Sequence, residues 1–226
     1  MSLNQVSTEI SQAEKASGRA EGAVQLIAVS KVQPNERVLA VLNQGHRVFG
    51  ENRVQEASKK FSAIETKLVY NKRMIGHLQT NKINKALRIF DTIDSVDSLR
   101  IAKQLANKLK HSTKPLSVLL EINTSGDKTK FGFDPNNDND LLECMSLDEI
   151  VVEGLMTIGP ASQEKESTIK AFALLRKIKD SLNQQIDKEK KLTVLSMGMS
   201  NDYELGIMQG STMVRLGTAL FGPREG

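Results

Sequence analysis

The sequence predicts a single parallel (β/α)8 barrel with an extra N-terminal helix in front of it, and three observations carry that reading. From Gln25 onward, short apolar runs rich in β-branched residues alternate with longer polar stretches of helical periodicity, the pattern of a parallel sheet covered by helices. Eight such runs can be counted, and eight strands with intervening helices favour a closed barrel over an open sheet. A chain of 226 residues, 39% of them hydrophobic, suits one sizeable core and would cramp two, so residues 1–226 are expected to form one domain.

The elements follow in order. Leu3 to Ala16 carries Val6, Ile10 and Ala13 at helical spacing and reads as a helix packed on the barrel before the first strand. The eight strands are placed at Gln25–Ser30, Arg47–Gly50, Arg73–Gly76, Ile89–Asp94, Leu116–Ile122, Val151–Ile158, Leu192–Met197 and Thr212–Leu216. Pro34 sits in the first turn of the helix after the first strand. Asp97-Ser98-Leu99 opens another, with Leu99, Ala102, Leu105, Ala106 and Leu109 as its apolar stripe, and Ala171, Leu174, Leu175 and Ile178 repeat that stripe further on. Gly126 to Asp140, with Asp134-Pro135-Asn136-Asn137-Asp138 inside it, is the least hydrophobic stretch and reads as a long exposed loop.

Composition narrows the partners. Thirty-one basic and 27 acidic residues leave a net +4 that is spread along the chain, so nothing calls for nucleic acid. With 4% aromatic residues and no Trp, there is little to build base-stacking platforms from. Cys144 is the only cysteine, which excludes an intramolecular disulfide and suits a reducing compartment. Met1 to Ala20 is polar and charged, and no segment is long and apolar enough to span a bilayer. The expectation is a soluble, cytoplasmic protein with no membrane or nucleic-acid partner.

In such a barrel, chemistry gathers at the carboxyl ends of the strands, and here those positions are polar or glycine. Lys31 follows the run Leu26-Ile27-Ala28-Val29; a lysine at the rim can lose its proton and attack an aldehyde, or can simply snorkel to solvent. Ser196-Met197-Gly198-Met199-Ser200 and Gly217-Thr218 combine small residues and hydroxyls after strands seven and eight, where barrels frequently bind phosphate, although each alone is also ordinary turn sequence. Arg215 lies within the apolar Met213-Val214-Arg215-Leu216 and needs an acceptor. That acceptor is either a ligand or a strand-end carboxylate such as Glu51 or Glu121. His77 reads as a hydrogen-bonded structural histidine, and no histidine pair has metal-ligand spacing. Phe131-Gly132-Phe133 reads as loop packing, and Met197, Met199, Met208 and Met213 as gap-filling core residues.

Taken in order, Ala28-Val29-Ser30-Lys31, the segment Phe49 to Glu56, the segment Ile75 to Lys82, Gly154-Leu155-Met156, the segment Leu195 to Ser200 and the segment Gly210 to Thr218 resemble the pyridoxal phosphate homeostasis protein family. The resemblance runs from about Gln25 to Pro223. It implies a fold-type III barrel like the N-terminal domain of alanine racemase, with pyridoxal 5'-phosphate as cofactor. It further implies that Lys31 forms the internal aldimine, that Ser200, Gly217 and Thr218 hold the phosphate, and that Arg215 approaches the pyridine nitrogen. Asn52 would lie beside the ring and Met197 near its face. Where the family usually has Trp-His-Phe before the third strand, this chain has Lys72-Arg73-Met74, which removes an aromatic role there.

A cationic donor at the ring nitrogen disfavours its protonation and makes the ring a weak electron sink. Racemase barrels add an acid-base partner from a further C-terminal domain, whereas this sequence runs to Gly226 and nothing sets Tyr70 or Tyr203 opposite Lys31. The first expectation is therefore a non-enzymatic, monomeric protein that buffers pyridoxal 5'-phosphate or delivers it to apoenzymes. A racemase-like enzyme is the second, and a cofactor-free Schiff-base aldolase acting on a phosphorylated sugar is the third.

Overall fold

The computed structural model describes residues 2–127 and 129–222. Helix α1 (Leu3–Ala16) leads into β1 (Gln25–Val29), α2 (Asn35–Asn43), β2 (Val48–Glu51), α3 (Val54–Ala63) and β3 (Asn71–Met74). A short α4 (Ile83–Ala86) follows, then β4 (Thr92–Val96), α5 (Leu99–Leu109), β5 (Leu116–Glu121), α6 (Asp138–Met145) and β6 (Ile150–Met156). The chain continues through α7 (Lys165–Gln185), β7 (Val194–Met199), α8 (Tyr203–Met208), β8 (Met213–Leu216) and α9 (Thr218–Phe221). The eight strands pair in chain order, all parallel, and β8 closes on β1 with Ile27 opposite Arg215. The barrel that the apolar runs predict is the barrel observed.

Side-chain alternation along the strands sorts the core into two layers. Ile27, Val29, Ile75, Leu119, Met156 and Met213 form one buried cluster, the filling of the barrel itself. Their strand neighbours, such as Leu26, Ala28, Val214 and Leu216, belong to a second cluster between sheet and helices. Gly50 sits on the inward parity of β2, where a Cβ would come within 2.9 Å of both Ile27 and Ile75, so only glycine leaves room for the filling. The inside of the barrel also carries polar groups: Arg73, Asp94, Glu121, Ser196 and Arg215 are all buried.

Helix α1 occupies the residues expected of it. Ser2 and Gln5 cap it reciprocally, and its buried Val6 and Ile10 join the cluster that α8 and α9 also enter. Glu14 accepts from the amides of Gly22 (3.0 Å) and Val24 (2.7 Å), fastening the helix to the start of β1.

Several boundaries move. The third strand is Asn71–Met74 instead of Arg73–Gly76, because its first residues are polar and carry no apolar signal. The fourth is Thr92–Val96 instead of Ile89–Asp94: Ile89 and Phe90 pack into the core from the turn after α4, and a register shift lies between Ile93 and Val96. Pro34 caps α2 from outside and is not in its first turn.

Candidate functional site

Lys31 inherits its direction from β1. Ile27 and Val29 point into the barrel, so the residue two further on emerges on the same side at the carboxyl-end mouth. There it lines a cavity of about 430 Å³ together with Asn52, Ser200, Arg215, Gly217 and Thr218, which come from the ends of β2, β7 and β8. A larger groove, about 760 Å³, runs outside the barrel beside Arg37, Arg53 and Lys59 and holds none of these groups.

Arg215 is fully fixed yet not ion-paired. Its Nη1 donates to the Ser196 carbonyl (2.8 Å) and to Ser196 Oγ (2.7 Å), and its Nη2 donates to the Thr157 carbonyl (2.8 Å). A guanidinium has five N–H donors and these contacts use three of them, on a residue that also lines the cavity. Of the two expected carboxylates, Glu51 is engaged elsewhere, 2.6 Å from Lys60 Nζ and 2.8 Å from Ser30 Oγ. Glu121 acts on Arg215 only through its field, as Asp94 and Asp202 do; burial lowers the arginine's pKa and these carboxylates oppose that. Burial in turn pushes Glu121 up to about 7, with Arg215 pulling down and Asp97 pushing up.

The two loops beyond β7 and β8 are joined at their centre, where Ala219 N–H donates to Ser200 Oγ at 3.2 Å. Gly198, at φ 103, lets β7 turn away over Tyr203, whose Cα would lie 2.8 Å from any Cβ there. Asp202 then fastens the turn by accepting from Met199 N–H at 2.6 Å. Together these loops present a hydroxyl, a glycine backbone and Thr218 to one end of the cavity.

Met197 is the exception among the predicted site residues. It is wholly buried in a further core cluster, with Leu195 of β7 and Phe172 and Leu175 of α7, because Ser196 faces Arg215 inside the barrel and its neighbour must face the other way. Met199, two residues on, lines the cavity in its place. Sequence reasoning also missed Lys130, Gly159, Gln163 and Asp202 as lining residues. Lys130 Nζ donates to the Gly159 carbonyl at 2.7 Å, a contact across 29 positions that no local pattern could have signalled. His77 is hydrogen-bonded as expected, with Nδ1 2.6 Å from Asp97 Oδ2, and Phe131 stacks on its ring at 3.7 Å between centroids. Residues 130–131 thus tie the loop after β5 to the strand ends on both sides of the mouth.

The chain matches the family model described as alanine racemase, N-terminal domain, over residues 3–225. It is 37% identical over 227 residues to the pyridoxal phosphate homeostasis protein of Vibrio cholerae serotype O1, spanning 99% of this chain and 95% of that one. The chain belongs to the pyridoxal phosphate homeostasis protein family. Among solved structures, PipY of Synechococcus elongatus PCC7942 with PLP bound superposes with a TM-score of 0.82 at 34% identity, covering 94% of this chain and all of that one. Alanine racemase of Clostridium difficile 630 shares the fold, with a TM-score of 0.73 at 19% identity, over 95% of this chain and 56% of the racemase. Among the described residues no helix is long and apolar enough to cross a membrane.

Proposed function

We propose that this chain is a single-domain, monomeric, non-enzymatic protein of the cytoplasm that holds pyridoxal 5'-phosphate on Lys31 and so buffers it or delivers it to apoenzymes. One observation carries the reading: Lys31, Arg215 and the Ser200 and Gly217-Thr218 loops meet around one cavity. That donor set fits the group. When bound, pyridoxal 5'-phosphate supplies an aldehyde for a primary amine and a phosphate for hydroxyl and backbone donors. Ser200, Gly217 and Thr218 would hold the phosphate, Lys31 the aldehyde carbon, and Asn52 would pack beside the ring. Arg215, pinned by Ser196 and Thr157, would be the residue to approach the ring nitrogen, and a cation there would disfavour its protonation. The PLP-bound PipY structure and the name of the Vibrio relative support the same reading.

Against an enzyme stands the placement of the tyrosines. Racemisation needs a proton carrier on the substrate face opposite the lysine. Tyr203 donates instead to Glu9 in α1 at 2.8 Å, and Tyr70 packs edge-on against Phe49 on the outer side of the sheet. Titrating the purified protein with pyridoxal 5'-phosphate tests the proposal. A near-visible band that borohydride abolishes, with no turnover of alanine above the free-cofactor rate, is expected. Turnover above that rate would make the chain an enzyme, and failure to form the band would return the cofactor-free aldolase.

A further inference from the structure

Lys31 occupies the second position of a four-residue turn, Ser30 to Gln33, closed by Gln33 N–H donating to the Ser30 carbonyl at 3.0 Å. The third position of that turn is Val32, at φ 61. Glycine is the usual occupant of a positive φ in a turn, and a β-branched residue there is strained. Val32 is also 62% exposed, so no packing of its side chain accounts for its conformation. The restraint comes from the backbone. Val32 N–H donates to Glu56 Oε1, and the Ser30 carbonyl accepts from Lys60 Nζ. Glu56 and Lys60 stand one turn apart on the face of α3 that meets β1, 3.1 Å from each other. Lys60 is itself buried and held 2.6 Å from Glu51, whose other contact is Ser30 Oγ.

We propose that Glu56 and Lys60 are positioning residues for Lys31: they grip the peptide groups on either side of it and hold the turn that aims its amine into the cavity. This rests on the reading of Lys31 as the lysine that takes the cofactor. A buried ion network is a poor way to pack a helix on a strand, since apolar residues of the same volume serve as well or better. What apolar residues cannot do is donate to the Ser30 carbonyl and accept from the Val32 amide. Both grips close on the two peptide groups that flank one side chain, and that side chain is Lys31. The strain at Val32 is then part of the arrangement: Glu56 holds the Val32 amide, and with it the peptide group that follows Lys31, in the orientation that the positive φ sets.

The test uses the full chain and pyridoxal 5'-phosphate as probe, reading the rate and extent of the borohydride-reducible adduct on Lys31 by peptide mapping, beside the melting temperature. Glu56→Ala is expected to slow and weaken adduct formation roughly five- to tenfold. Glu56→Gln keeps a carbonyl oxygen for the Val32 amide and is expected to stay near the unsubstituted protein. Val32→Gly placed in the Glu56→Ala background is expected to restore most of the loss, because glycine adopts φ 61 without help. A merely structural Glu56 would give no such rescue. Should Glu56→Ala fail to fold, Glu56→Met with and without Val32→Gly asks the same question at nearly constant volume. An unaltered adduct in Glu56→Ala would overturn the proposal, as would a loss that glycine does not restore or an equal loss in Glu56→Gln. A first adduct that maps elsewhere than Lys31 in the unsubstituted protein would instead sink the reading of the site.

Discussion

Two arginines stand inside the same barrel, buried to nearly the same degree, and they are satisfied in opposite ways. Arg73 on β3 meets a carboxylate directly, its Nε 2.8 Å from Asp94 Oδ2. Arg215 on β8 meets only neutral oxygens, those of Ser196 and Thr157. A directly paired arginine has its charge neutralised where it stands. One held by carbonyls keeps its charge for something else, and Arg215 is the one that lines the cavity. The β3–β4 wall therefore reads as structure and the β7–β8 wall as a site. Position in the fold is shared; the chemistry of the partner separates the roles.

The sharpest way to break that contrast is to remove each arginine in turn. Arg73→Met leaves Asp94, whose Oδ1 already has no partner, as an uncompensated buried carboxylate. It is expected to cost about 3–5 kcal/mol in urea unfolding with little effect on cofactor titration. Adding Asp94→Leu should recover much of that cost, and no recovery would mean that Arg73 is held for another reason. Glu121 gives a second handle. Because it binds its proton more tightly in the folded chain, at about 7 against about 4.5 unfolded, its protonated form favours the fold. That stabilisation is complete below about pH 4.5 and is lost as pH rises to about 7, a change on the order of 3 kcal/mol. Glu121→Gln should flatten this slope in stability measured from pH 5 to pH 8. The smallest change in stability is expected from Arg215→Met, about 1–3 kcal/mol, since it frees carbonyls and leaves no ion pair broken. Its signature lies elsewhere: weaker cofactor binding, and a Glu121 transition moved further up once the opposing cation is gone. Unaltered titration by the cofactor would make Arg215 as structural as Arg73.

Much of this was legible in the residues, and the reasons differ by level. The barrel was readable because a parallel strand buried on both faces must be an apolar run, and eight such runs are hard to arrange otherwise. Lys31 and Arg215 were readable because a charge at the end of, or inside, such a run demands an explanation. Strand ends were not, since Asn71 and Lys72 enter β3 without an apolar signal and Ile89 and Phe90 serve the core from a turn. Met197 went astray for a reason of parity. Once Ser196 is seen to face Arg215, its neighbour can only face the helices, but the partner of Ser196 is 19 residues away and invisible to spacing alone. Lys130 lies in the stretch read as exposed loop, and only the closed barrel brings it to Gly159. Likewise the Glu56 and Lys60 grip on the turn at Lys31 depends on α3 folding back over β1, which periodicity predicts as packing and not as contact.

The claim that the rest depends on is chemical and local. Protein saturated with pyridoxal 5'-phosphate, reduced with borohydride, digested and mapped by mass spectrometry should carry one pyridoxyl group, on Lys31, and Lys31→Ala should carry none there while keeping its melting transition. A pyridoxyl group on a different lysine of the unsubstituted protein, with Lys31 recovered unmodified, would contradict the account.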